Sequence, residues 1–299
     1  MRPQVFLAFL WHMHQPYYKD PESGVYSMPW VRLHGVKDYY GMAAILREFP
    51  DIHQTFNLVP SLLEQIVDYI ENDAVDRVLE LTLKRAEELS EEDKLEILSR
   101  FFRVNKENMV FPYPRYHELL LSKGDGETHR ALAKFTEQDW RDLQVWYNLV
   151  WVSPLYKGSD ARYLLEKGRN FSEEDKVRLI KLHKKILREI IPLYKELSER
   201  GQVELITSPF YHPILPLIYD TDIAKESLPS TDLPQNRFNY PEDVELHISE
   251  GLRYFSRILN RKIPSLRETP GGNYVMEWSQ GMPLSDLLRE IGRICSSVG

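Results

Sequence analysis

A chain of 299 residues with 42% hydrophobic and 12% aromatic residues and a formal net charge of −7 can bury a sizeable apolar core, which excludes intrinsic disorder. Its 45 Asp and Glu outnumber its 38 Lys and Arg, so neither nucleic acid nor an anionic membrane is an expected partner. A single cysteine, Cys295, excludes an internal disulfide or a cysteine-based zinc site and fits the cytoplasm.

Along the chain, Val5 to Leu10 is a continuous apolar run and reads as a first strand buried on both faces, as in a parallel sheet. It is too short for a signal segment or a membrane span, so no targeting segment is expected. Gln54 to Val59 reads as a second strand that stops at Pro60, where a helix carrying Leu62, Leu63, Ile66, Val67 and Ile70 at helical spacing begins. Residues 73–200 read as a long helical insertion, with Ser90 and Ser172 each followed by acidic residues in the N-cap arrangement. Trp140, Trp146, Tyr147 and Trp151 within it read as core packing, with a sugar platform as the alternative. The helix from Ser172 ends near Gly201, and Val203 to Ser208 forms a third strand. A helix over Glu242 to Leu259 then leads to a fourth strand near Ile263-Pro264-Ser265. Strands separated by helices make the chain α/β with a parallel sheet, and sites on such sheets collect at the strand C-termini.

Two clusters lie at those ends. Trp11-His12-Met13-His14-Gln15-Pro16-Tyr17-Tyr18 follows the first strand, and His12 and His14, two residues apart, point to one face if the strand continues. Tyr211 and His212 follow the third strand, and His34 is a further candidate. Imidazoles so placed can hold a metal, hydrogen-bond sugar hydroxyls or sit satisfied in a core. Nucleophile-elbow, Walker and dinucleotide patterns are not found.

The strings WHMHQPYY, PWVRLHGVKDYYGMAAIL, TFNLVPSLLEQI, DLQVWYNLVWVSP and GQVELITSPFYHPILPL, five blocks in order, resemble the N-terminal catalytic region of glycoside hydrolase family 57, whose members act on α-glucans. The resemblance spans roughly Gln4 to Pro264. It implies a TIM-like (β/α)7 barrel, here partial because only about four strands are read, with 1–299 as one incomplete catalytic domain and 73–200 as an insertion in it. It implies an α-glucan or maltooligosaccharide substrate and a retaining mechanism with a Glu nucleophile and an Asp acid/base. It also implies no catalytic metal or cofactor, so that Trp11, His12, His14, Gln15, Tyr17, His34, Tyr211 and His212 contact sugar.

The chain departs from the family after Pro264. In place of the block that carries the nucleophile it reads Arg267-Glu268-Thr269-Pro270-Gly271-Gly272-Asn273-Tyr274-Val275-Met276-Glu277-Trp278. Alignment on the later Leu287-Leu288-Arg289-Glu290 puts Glu277 near the nucleophile position, with Glu268 as a weaker candidate. The family's Asp acid/base lies past residue 299, so the expectation is a truncated or frame-disrupted gene with little glycosidase activity of its own. The readings carried forward are an α-glucan hydrolase or glucanotransferase, a catalytically incompetent α-glucan-binding remnant, and a metal-dependent polysaccharide deacetylase.

Overall fold

A computed structural model describes residues 7–124, 132–156 and 158–260, together with the backbone of Ser265–Glu268 and Tyr274–Trp278. The described chain is mixed α/β and mostly helical. Three strands, β1 (Leu10–Met13), β2 (Gln54–Leu58) and β3 (Val203–Ile206), form a parallel sheet in the order β1-β2-β3. Leu10 aligns with Thr55 and Met13 with Leu58, while Gln54 aligns with Val203 and Asn57 with Ile206.

The first strand differs from its expected bounds and burial. Val5 and Phe6 lie outside the described residues, and the strand begins only at Leu10. It is not buried on both faces: Leu10 is 59% exposed and Trp11 40%, because β1 has a neighbour on one side only among the described strands. The sheet as a whole is two-sided. Met13, Phe56, Leu58, Val203 and Leu205 are buried on one face, while His12, Thr55, Asn57 and Glu204 alternate with them onto the other. On that polar face the Glu204 carboxylate accepts from the Thr55 hydroxyl at 2.7 Å. β4 (Ser265–Glu268) arises where a fourth strand was expected, but it pairs antiparallel with β5 (Tyr274–Trp278) instead of extending the parallel sheet. The residues between them include Pro270, Gly271, Gly272 and Asn273, types that turns favour, and they lie outside the described residues.

The chain divides into two compact units, the first made of residues 1–17, 53–64 and 203–299 and the second of 18–52 and 65–202. In the first, the helix Pro241–Leu259 buries Val244, Ile248, Leu252, Phe255 and Leu259, one apolar stripe at three- and four-residue spacing. In the second, Ser90, Thr136 and Ser172 each close a capping box, accepting from the backbone N–H three residues on while that residue's Asp reaches back. The 27-residue helix Glu173–Glu199 follows the last of these, and Gly201 takes the positive φ of 74° that ends it. Trp140, Trp146, Tyr147 and Trp151 are buried, which makes them core residues.

The second unit also encloses a polar cluster. The Arg32 guanidinium donates to both oxygens of Asp76, Nε to Oδ2 at 2.7 Å and Nη2 to Oδ1 at 3.2 Å. Its Nη1 donates to Asn148 Oδ1 at 2.9 Å and to His183 Nδ1 at 3.1 Å. Arginine has no acceptor, so His183 carries its proton on Nε2, which donates to the Asn148 carbonyl at 3.1 Å. Asp76 additionally accepts from the Tyr69 hydroxyl at 3.0 Å and, at 2.8 Å, from the Leu79 N–H in the first turn of the helix Arg77–Leu83. Among the described residues no helix is long and apolar enough to cross a membrane.

Candidate functional site

The polar face of the sheet organises the site in the first unit. Register partners in a parallel pair share a face, so His12 on β1 and Asn57 on β2 stand side by side, and His14 returns to the same face two residues later. Asn57 is fixed at its other end by a reciprocal pair with Ser208, Nδ2 to Oγ at 2.9 Å and Oγ to Oδ1 at 3.1 Å. That pair anchors the start of the segment carrying Tyr211 and His212.

The segment is held from two sides. The Ser61 N–H, at the start of the helix Pro60–Glu71, donates to the Phe210 carbonyl at 3.0 Å. The Phe210 N–H donates to the His247 carbonyl at 2.9 Å, on the helix Pro241–Leu259. Gly251 of that helix comes so close that an added Cβ would stand 3.0 Å from the Ser208 carbonyl oxygen and 3.1 Å from the Phe210 nitrogen. The chain then turns, with the His212 N–H donating to the Pro209 carbonyl at 2.9 Å, and His212 adopts a φ of 55°. A side chain other than glycine pays about 1–2 kcal/mol for that left-handed conformation.

This turn brings His212 onto the two histidines of β1. Its ring centroid is 4.6 Å from that of His12 and 4.8 Å from that of His14, which are themselves 5.8 Å apart. Burial, followed by the neighbouring His212, lowers the pKa of both His12 and His14 from 6.5, with His12 adding to the effect on His14, so both rings favour the neutral form. Beside the cluster, Tyr17 and Tyr211 meet edge to face at 5.3 Å, and both are largely exposed. Burial, then the charges of Glu64 and Tyr17, raises the Tyr211 phenol above 10.

The other expected residues are placed differently. Gln15 is half-buried next to His14. Trp11 belongs to the opposite face of the sheet, stacked on Phe9 and donating from Nε1 to Gln54 Oε1 at 2.8 Å. His34 lies in the second unit, edge-on to Trp151 at 5.1 Å, with Nδ1 hydrogen-bonded to Asp38 at 2.6 Å. Asp38 also accepts from Lys37 at 2.9 Å, and Lys37 lines a cavity of about 510 Å³ together with Tyr113, Ser153, Tyr156, Arg162 and Glu166. Of Glu277 and Glu268 only the backbone is described, in β5 and β4. Asn57, His247 and Gly251 were missed by motif reasoning. For Asn57 a signal existed: Thr55 and Asn57 are polar at alternating positions of the strand, with Phe56 and Leu58 between and after them.

The family described as Glycosyl hydrolase family 57 matches residues 8–270 of the chain. No curated protein sequence matches it. Among solved structures it is similar to a GH57 branching enzyme from Thermococcus kodakaraensis, crystallised with glucose and additives, at 17% identity and a TM-score of 0.41 over 96% of this chain and 38% of that one. It is similar to the α-amylase AmyC of Thermotoga maritima at 15% identity and a TM-score of 0.40, over 85% of this chain and 33% of that one. A GH57-type branching enzyme from Pyrococcus horikoshii aligns at 16% identity and a TM-score of 0.39, over 96% of this chain and 40% of that one. The chain therefore spans two fifths or less of the length of these structures.

Proposed function

The chain belongs to glycosyl hydrolase family 57, and from that premise we propose that it acts on α-glucans, as a retaining hydrolase or glucanotransferase, with the polar face of its parallel sheet as the sugar-binding surface. The observation that carries this reading is the convergence of His12, His14 and His212 beyond the strand C-termini, next to the exposed pair Tyr17 and Tyr211. A neutral imidazole offers one N–H donor and one lone-pair acceptor, the same complement that a sugar hydroxyl presents. Aromatic rings such as Tyr17 and Tyr211 supply an apolar surface for the C–H face of a pyranose. In this reading the three parallel strands and their helical connections are one part of a (β/α)7 barrel, and Gln15 and Trp11 belong to the wider substrate surface of the first unit.

Retaining chemistry needs two carboxyls about 5–5.5 Å apart, one to attack the anomeric carbon and one to protonate the leaving oxygen. We assign the attack to Glu277 and leave the acid/base unassigned. Water reaching the covalent intermediate gives hydrolysis, and a sugar hydroxyl gives transfer. The alternative is a chain that binds α-glucan without cleaving it.

One experiment separates the two. Calorimetry with maltooligosaccharides measures binding, and release from a reactive aryl α-glucoside measures cleavage. Binding with release that Glu277→Gln abolishes supports the enzyme. Binding with no release supports the non-catalytic reading, and no binding by the folded chain rejects both.

A further inference from the structure

We propose that His12, His14 and His212 together bind one zinc-class divalent cation through three ring nitrogens. One ligand nitrogen from each lies within 4.8 Å of those of the other two. Around a tetrahedral zinc with bonds of about 2.0–2.1 Å, nitrogens sit about 3.4 Å apart. The three rings thus need to close by little more than an ångström, well within a change of side-chain torsion for groups at the surface, and His12 and His212 are exposed.

Three further features favour a cation. All three donors are imidazoles, which suit zinc, copper, nickel and iron and not magnesium or calcium, whose ligands are oxygens. The three rings converge from two separate strand ends, with centroids 4.6, 4.8 and 5.8 Å apart. His212 reaches the cluster by way of a left-handed backbone, φ 55°, in a segment pinned by Ser61 and His247, and such conformations persist where the surroundings over-determine them. Three histidines leave the fourth tetrahedral position open to water or a hydroxyl, the pattern of an accessible site and not of a closed structural one. The inference needs only the three imidazoles and is independent of the glucan assignment.

The test uses the whole chain, stripped of metal by a chelator and then titrated with Zn2+ in a calorimeter and with Co2+ in a visible spectrometer. One ion per chain and a tetrahedral cobalt band are expected. His12→Ala, His14→Ala and His212→Asn should each weaken binding by more than the about 10–100-fold that loss of an outer-shell partner costs. Asn accepts the left-handed backbone, so the third variant removes the ligand and retains the turn. His117→Ala, on the helix Pro114–Lys123, should leave binding unchanged. No stoichiometric binding, or binding that the three cluster variants do not weaken, would overturn the proposal. Maltooligosaccharide binding measured in excess chelator reads the glucan assignment separately: sugar binding without zinc binding removes the cation and keeps the glucan, and the reverse result does the opposite.

Discussion

Arg32 and Asp76 meet side-on in the second unit as a two-pronged ion pair, their side chains 2% and 0% exposed. Such a pair contributes little net stability when intact, since desolvation offsets attraction, but breaking it strands a charge. Asp76→Asn and Arg32→Met should each destabilise the fold by about 3–5 kcal/mol. Urea denaturation of the two single variants and of the double variant measures this. A double variant no worse than either single one is the expected signature of a stranded charge.

A second prediction follows from His183, which accepts from Arg32 and donates to Asn148. Burial, then the charge of Arg32, holds its pKa well below 6.5, against a smaller upward pull from the Asn148 carbonyl. Asp76, Tyr69 and Tyr147 bear on the same guanidinium. The folded state thus keeps the ring neutral while the unfolded chain takes up a proton. Its contribution to stability is complete above 6.5 and is lost as the pH falls below that value toward the folded pKa. The loss reaches at most about 1.4 kcal/mol per pH unit. Denaturation at about pH 7 and about pH 5 should show the decline, and His183→Gln should flatten it. Asp93 acts in a different window: burial raises its carboxyl, but hydrogen bonds from Lys84 and Ser90 more than offset this and hold it at about 2, so its contribution falls only below 3.8.

Gly251 sets the spacing between its helix and the segment before His212. Alanine's Cβ already meets the Ser208 carbonyl oxygen at 3.0 Å, and that crowding offsets the up to about 1 kcal/mol of helix propensity it gains. Valine adds bulk against backbone atoms that cannot move aside without shifting the turn, and should cost about 1–3 kcal/mol. Gly251→Val should also weaken ligand binding at the histidine cluster, because the strain falls on Ser208 and Phe210. Thermal melts and calorimetry on the variant check both outcomes.

On the proposed glucan reading, replacing His14, which is half-buried, removes hydrogen bonds to sugar hydroxyls. Each is worth roughly 0.5–1.5 kcal/mol net, so His14→Ala should reduce maltooligosaccharide affinity several-fold without abolishing it. Isothermal calorimetry on the chelator-treated chain is the measurement.

What could be read from the residues was local. The strand at Gln54, the helix start at Pro60, the caps at Ser90 and Ser172 and the stop at Gly201 depend on neighbours within a few positions, and each is found in the structure. The pairing of His14 with His212 was anticipated because both follow strands of one parallel sheet. The expected burial of the first strand failed, since it depends on how many strands flank it, which periodicity does not encode. Arg32 with Asp76 escaped notice for a similar reason: nothing near either residue announces a partner 44 positions away. The antiparallel pairing of β4 and β5 replaced a parallel fourth strand because a short run of strand formers is compatible with either direction.

The buried cluster around Arg32 has a temporal side. Its members are separated from Arg32 by 44 positions at Asp76, 116 at Asn148 and 151 at His183. During synthesis, Arg32 and Asp76 are present long before the helix that carries His183 is made. The second unit therefore cannot complete its interior before His183 has been made. Until that helix arrives, the waiting charges are best kept in water. Final closure of this unit is therefore expected late, when its most distant segment docks.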